Sequence, residues 1–295
     1  MIIVRLSGGM GNQMFQYALG RNLSIKNNVP LGLDTAMLLD RTPHPAFQKF
    51  VFRNYDLGVF NIEAEVVPQS CIPFFHRNFF SGEVNLYFKY FCKKFISFPG
   101  KEKHFHFDPS VLSFNPNTYL AGDWQSPKYF EGVEDIIRKD FTLKDPLSEK
   151  AHGLLDDIDS CVSVAVNVRR TDFVTSSFHG KFGSEYYDNA IAYLSTKISI
   201  DKIFVFSDDM KWCEENLKFS FPTVFVGHEY AGKKFSEYLS LMSSCKHFVI
   251  PNSTFGWWAA WLSGNNDKIV IAPKRWFADE KINTNDLIPE TWIRL

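Results

Sequence analysis

The sequence predicts an α/β protein of two domains, the C-terminal one built on a doubly wound parallel sheet. After residue 160, short β-branched and aromatic runs alternate with helical patterns, which is the signature of βα units stacked side by side. The first 34 residues read strand, glycine turn, helix, strand, a βαβ opening. A chain of 295 residues also exceeds what one core commonly serves. The expected division is 1–158 and 159–295, with the acidic stretch 156–159 closing a helix that bridges the halves.

Ile2-Ile3-Val4-Arg5-Leu6 is the first strand. Ser7-Gly8-Gly9-Met10-Gly11-Asn12-Gln13 follows, and then a helix carrying Phe15, Ala18, Leu19 and Leu23 on one face. A glycine turn between strand and helix brings backbone N–H groups and a helix N-terminus close to a ligand, which makes Gly9 and Gly11 candidate contacts. The competing reading is a tight turn that only packs helix on strand. The dinucleotide fingerprint is not met, because Met14 stands where its third glycine belongs, and no Walker-type lysine loop occurs.

From 36 to 150 the periodicity weakens and prolines interrupt it. His104-Phe105-His106 would set two imidazoles on one face of a strand, alongside scattered His44 and His76, but no Cys or carboxylate pattern accompanies them and a metal site is disfavoured. Residues 88–95 mix aromatics with lysines and read as a packed helix with lysine stems turned outward, rather than a sugar- or membrane-touching face. Residues 119–130 return to order as strand, turn and helix start.

In the second half Val162, Val164, Val166 and Val168 alternate with small or polar residues, a half-buried strand, and Arg169, Arg170 and Asp172 arrive where the apolar run stops. Ligands of open α/β sheets bind outside the carboxyl ends of strands, and paired guanidiniums there form a fork for a phosphate. The alternative is a surface cluster in which Arg169 or Arg170 pairs with Asp172, worth under about 1 kcal/mol. Two further strands, 202–206 and 247–250, also end in polar sets, Ser207-Asp208-Asp209 and Asn252-Ser253-Thr254. Strands at 223–226 and 268–272 complete the sheet, and the gathering of polar ends on one edge favours the phosphate reading. Asn252, Ser253 or Thr254 is expected to cap the helix 255–262, whose tryptophans read as core. Adjacent aspartates on extended chain point to opposite faces, so Asp208 and Asp209 suit a nucleoside better than one shared Mg²⁺.

A net charge of −1 and a pI near 6.7 offer no global attraction to nucleic acid or anionic membrane. Five cysteines without a C-x-x-C suggest reduced thiols rather than a zinc or redox site. No apolar run approaches the ~18 residues of a membrane span, and the expectation is a cytoplasmic protein without a leader.

Taken in order, Gly8 to Ala18, Val166 to Phe173, Phe204 to Asp209 and Leu241 to Leu262 resemble the α-1,2-fucosyltransferases of glycosyltransferase family eleven. The resemblance runs from residue 2 to about 277 and is weak over 36–118. It implies a GT-B architecture, two Rossmann-like domains facing across a cleft. It also implies inverting transfer of L-fucose from GDP-β-L-fucose to the 2-hydroxyl of a galactose-containing acceptor, with no required metal or other cofactor. The family's H-x-R-R-x-D motif maps onto Asn167, Arg169, Arg170 and Asp172, with asparagine in place of histidine. Asparagine takes no proton near neutral pH, so no titrating histidine acts at that position. The implied catalytic set is Arg169, Arg170, Asp172, Asn167 and Asn12. The implied donor contacts are Gly9, Gly11, Gln13, Ser207, Asp208, Asp209, Asn252, Ser253, Thr254 and Phe255. Asp172 or Asp34 would be the base, with Asp172 better suited to orienting an arginine. The rivals are another GDP-sugar transferase, such as a protein O-fucosyltransferase, and a non-catalytic nucleotide-sugar-binding protein. The implied setting is a bacterial cytoplasmic enzyme, free or peripheral at the inner membrane face, that builds a surface polysaccharide.

Overall fold

The computed structural model describes residues 1–39, 53–68, 97–171 and 182–295, with the backbone alone over 97–101. Asp172, His44, His76, Cys71, Cys92 and the aromatic-basic segment 88–95 lie outside the described residues. The chain forms two compact units, Met1–Thr142 with Asn285–Leu287, and Leu143–Thr284 with Ile288–Leu295.

The first unit carries strands β1 (Ile2–Arg5), β2 (Leu31–Asp34), β3 (Glu65–Val66), β4 (Ser97–Lys101) and β5 (Thr118–Ala121), with helices α1 (Met10–Asn27), α2 (Ala36–Leu39) and α3 (Glu134–Asp140). Its sheet runs β3-β2-β1-β5-β4 with every pair parallel. Strand β4, Ser-Phe-Pro-Gly-Lys, is hidden in the sequence because proline and glycine break its pattern; it is tolerated at the sheet edge, where its register shifts between Ser97 and Gly100. Helix α1 packs Met14, Phe15, Ala18 and Leu19 into the core. The buried Asp140 that ends α3 is satisfied by the Tyr17 hydroxyl at 2.6 Å and Arg21 Nε at 2.9 Å. His104 and His106 lie in a bend rather than on a strand, their rings stacked, with His104 Nδ1 3.0 Å from the His106 carbonyl. Among the described residues no group of three metal-ligating side chains forms.

The second unit carries α4 (Glu149–Asp159), β6 (Ser163–Val168), α5 (Ser184–Ser195), β7 (Lys202–Ser207), α6 (Met210–Asn216), β8 (Thr223–Val226), α7 (Ser236–Ser244), β9 (His247–Val249), α8 (Thr254–Leu262), β10 (Val270–Ala272) and β11 (Ile293–Arg294). The sheet order is β11-β10-β9-β6-β7-β8, again all parallel. Strand β6 is buried throughout, as a central parallel strand covered on both faces must be. Helix α4 belongs here and does not bridge the halves: Ser148 caps it through the Ala151 N–H and donates to Glu237, and Asp157 pairs with Lys202 at 2.5 Å. Helix α8 is buried on all sides and its tryptophans are core. Cys161, Cys213 and Cys245 are free thiols, and among the described residues no helix is long and apolar enough to cross a membrane.

The second sheet contains a point where strand order reverses, and the first does not. In the first unit the chain steps outward from β1 to β2 and β3, then returns on the other side of β1 through β4 and β5. In the second it steps from β6 to β7 and β8, then returns beside β6 as β9. The connections leave the carboxyl ends of β6 and β9 in opposite directions, toward β7 and β10, which is the arrangement beside which open α/β sheets bind ligands.

Candidate active site

The carboxyl end of β6 carries Asn167, Arg169 and Arg170, and the loop after β9 carries Asn252 to Thr254, so the switch point of the second unit gathers two of the three predicted polar sets. The third, at the end of adjacent β7, holds the first in shape. Asp208 accepts from the Arg170 backbone N–H at 2.9 Å, from the Thr171 N–H at 3.2 Å, from the Thr171 hydroxyl, and from Arg169 Nη1 at 3.1 Å. Asp209 caps α6 through the Trp212 N–H at 3.2 Å and accepts from Arg170 Nε at 3.3 Å. The Arg170 guanidinium also lies over the Trp212 ring, 3.8 Å from its centre. The arginines thus pair with Asp208 and Asp209 from the neighbouring strand. Both carboxylates accept from protein donors, and the Asp209 side chain stays 35% exposed. Held this way, the guanidiniums lose little rotamer freedom when an anion arrives.

Asn167 is only 6% exposed. Its Nδ2 donates to the Phe206 carbonyl at 3.3 Å, while Oδ1 is buried with no hydrogen-bond partner among the described residues. A Cβ on Gly256 would fall 2.5 Å from that oxygen, so glycine is what lets the first turn of α8 approach β6. Ser253 occupies the position before α8, as expected, but its side chain makes no capping bond. Asn252 is instead turned to the Trp276 carbonyl at 2.8 Å. A helix N-terminus that its own side chain does not close keeps its dipole directed at the switch point. Thr254 and Phe255 are half-buried in its first turn.

In the first unit the glycine turn lies at the end of β1. Gly8 has φ +73°, and a Cβ there would meet Asn12 Nδ2 at 2.5 Å, so this turn is open to glycine alone. Gly9 is the residue before α1 with open space around it, and Gly11 is buried inside the helix. Gln13 is fully buried and fully used: Nε2 donates to the Gly8 and Asn54 carbonyls at 3.0 and 2.8 Å, and Oε1 accepts from the Asp56 N–H at 2.9 Å. It supports the turn and has no group to offer a donor sugar. Asn12 stays half-buried, with Gln125 Nε2 3.4 Å from its Oδ1. Asp34 is closed as well, since its oxygens accept from the Tyr119 hydroxyl at 2.6 Å and the Ala36 N–H at 2.8 Å.

Sequence reasoning missed the loop after β5. Gly122 and Asp123 follow β5, and Glu102 reaches in from beyond β4, its two oxygens accepting from the Asp123 and Trp124 N–H groups at 2.7 and 3.0 Å. Burial pushes Glu102 up to about 7, although those two N–H bonds act against the shift. Burial likewise raises Asp123, against the lowering field of Arg5 at the end of β1. Trp124 is 1% exposed with φ +55°, a conformation a bulky residue adopts only when its surroundings impose it.

Residues 84–295 match the family model described as glycosyl transferase family 11. The chain is 32% identical to an alpha-1,2-colitosyltransferase of Escherichia coli over the whole of this chain and 98% of that one. The chain belongs to glycosyl transferase family 11. It is also 29% identical to the O-antigen biosynthesis glycosyltransferase WbnK of Escherichia coli, over 98% of this chain and 99% of that one. A rat galactoside alpha-(1,2)-fucosyltransferase 1 is 31% identical over 56% of this chain and 52% of its own. Among solved structures, Arabidopsis thaliana FUT1 in complex with GDP is similar with a TM-score of 0.49 at 13% identity, covering 98% of this chain and 74% of that one. This family 11 chain is a glycosyltransferase, and the residue its motif leaves open is Asn167.

Proposed function

We propose that the protein transfers L-fucose from GDP-β-L-fucose to the 2-hydroxyl of a galactose-containing acceptor, forming an α-1,2 linkage with inversion. The observation that carries this reading is the arginine pair after β6, fixed by Asp208, Asp209 and Trp212 beside the N-terminus of α8, which the Ser253 side chain does not cap. Breaking the bond between sugar and phosphate puts negative charge on the departing diphosphate. Arg169, Arg170 and the first-turn N–H groups after Ser253 are fixed donors of the kind that stabilise such charge, and one such donor is worth about 10²–10³ in rate. Two guanidiniums supply the neutralising charge a metal would otherwise bring. Asn167 takes no proton, so in this position it orients and does not act as a base. Support for the linkage comes from the relatives, whose names place colitosyl and fucosyl transfer at an α-1,2 bond.

The test is incubation with GDP-L-fucose and a panel of galactosides, with the product linkage read by NMR. The expected product carries α-fucose on the galactose 2-hydroxyl. Absence of GDP release with every acceptor would overturn the reading. A second reading follows from the colitosyltransferase relative, because colitose is L-fucose lacking the 3-hydroxyl. A much higher kcat/KM with GDP-colitose than with GDP-fucose would replace one sugar with the other and leave the site assignment standing.

A further inference from the structure

Residues 227–235 join β8 to α7 at the carboxyl edge of the second sheet. Their backbone is costly to hold: Gly232, Lys234 and Phe235 have φ of +64°, +55° and +63°, and the last two are left-handed without being glycine. An aromatic residue keeps that conformation only where the surrounding structure imposes it. Here the Ala231 carbonyl accepts from the Glu237 and Tyr238 N–H groups at 3.1 and 3.3 Å, and the Tyr238 hydroxyl donates to the Val226 carbonyl. What the fastened loop presents is an open ring. Phe235 is 46% exposed, the only exposed Phe, Tyr or Trp among the described residues. Its ring meets His228 edge-to-face at 5.7 Å and Tyr238 at 5.8 Å. His228 in turn donates from Nε2 to the Ser207 carbonyl at 2.9 Å, which ties the rings to the end of β7, one residue before Asp208. A left-handed backbone and a solvated aromatic ring both act against stability, and their coincidence at a ligand-binding edge points to a ligand.

We infer that Phe235 is the platform on which the base of the donor nucleotide stacks, an inference that rests on the GDP-sugar reading above. The strand order gives the direction. Numbered along the chain from β6, the second sheet runs 3-2-1-4-5-6, an order in which a bound nucleotide has its diphosphate at the switch point and its ribose at the end of strand 2. With the diphosphate on Arg169 and Arg170 after β6, the ribose falls at the end of β7, where Asp209 keeps 35% of its side chain exposed, and the base is carried on toward β8. Two strand spacings, about 10 Å, separate the edge of β8 from that of β6, which a nucleoside diphosphate can span. The opposite direction, past β9 to β10, offers no comparable surface, because Trp276 and Phe277 after β10 are buried. Every base has a π-face, and laying it on an exposed ring removes apolar surface of both from water.

The decisive experiment is calorimetric titration of the wild type, Phe235→Gly and Phe235→Tyr in the full chain, with GDP and with inorganic pyrophosphate, which carries the charge but no base. Glycine removes the ring and adopts the left-handed backbone freely, so Phe235→Gly is expected to leave the unfolding midpoint little changed. Its GDP affinity should fall about 5–150-fold, the loss of one base–aromatic stack. Its pyrophosphate affinity should stay within about twofold of wild type, because the arginines are untouched. Phe235→Tyr restores a π-face and should bind GDP within about threefold of wild type. GDP affinity of Phe235→Gly within about twofold of wild type would overturn the inference. So would an equal loss for pyrophosphate, the mark of a ring that only packs its loop, and so would a tyrosine variant as weak as the glycine one. Failure of the underlying reading looks different: the wild type itself would not bind GDP.

Discussion

The carboxyl edges of the two parallel sheets differ in chemistry. At β6/β9 the carboxylates are spent inside the protein: Asp208 and Asp209 orient two arginines, and the arginines are what the edge presents. At β1/β5 the amides are spent instead. Gln13 and Gln16 stitch the glycine turn to its surroundings, and Glu102 closes on the loop after β5. The edge at β6 presents guanidiniums, while the edge at β1 spends its polar groups on its own loops. The residues that pair within each edge decide which charge is left over.

The sharpest way to break this comparison is to remove the basic side. Arg169→Ala and Arg170→Ala are each expected to lower turnover about 10²–10³-fold with the fold retained. Lysine at either position should recover little, because it lacks the planar fork that Asp208 and Asp209 hold. Steady-state rates near wild type in both alanine variants would mean that the anion lies elsewhere.

On the acidic side the expected effect is a pH dependence of stability. Glu102 rises from an ordinary carboxylate value of 4.5 to about 7 on folding, so the folded state holds its proton more tightly than the unfolded chain. Its contribution is therefore complete below about pH 4.5 and is lost as pH rises to about 7, a loss of at most roughly 3 kcal/mol. Denaturant unfolding of Glu102→Gln should show a shallower decline across that window. An unchanged slope would show that Glu102 is not the titrating group.

A smaller effect probes the packing at the basic edge. Gly256→Ala should cost about 1–3 kcal/mol, because the added methyl falls on Asn167 Oδ1. Combined with Asn167→Ala it should cost less than the sum of the two single changes. Strict additivity by chemical denaturation would separate the two positions. The smallest expectation is no change at all: transfer should persist within about twofold in EDTA, since the arginines carry the neutralising charge. Complete loss restored by Mg²⁺ would assign a metal to this reaction.

Much of the basic edge was legible beforehand because its signals are local. The alternation of Val162 to Val168, the arginines that end it and the polar residues after β7 and β9 are each written within a dozen residues. What those residues do to one another was not legible. That Asp208 serves Arg169, or that Gln13 is consumed by Gly8, Asn54 and Asp56, depends on neighbours about 40 residues away. The acidic edge was missed for the same reason in stronger form. Gly122-Asp123-Trp124 reads as an ordinary turn, and its partner Glu102 follows a strand masked by Pro99 and Gly100. The left-handed Trp124 has no sequence signature at all, since glycine or asparagine would be expected there.

The path of the last residues has a practical consequence. Asn285–Leu287 belong to the first unit, where Asp286 accepts from the Phe107 N–H at 3.2 Å and pairs with Lys128, and where its carbonyl accepts from Ser126 at 2.9 Å. The following residues return to the second unit and add β11 to its sheet. Cutting the gene after residue 142 therefore yields neither half intact. The first fragment would lack three residues that fasten its 107–128 region, and the second would carry them with nothing to hold. A split version of this enzyme would have to supply the C-terminal peptide twice, once for each half.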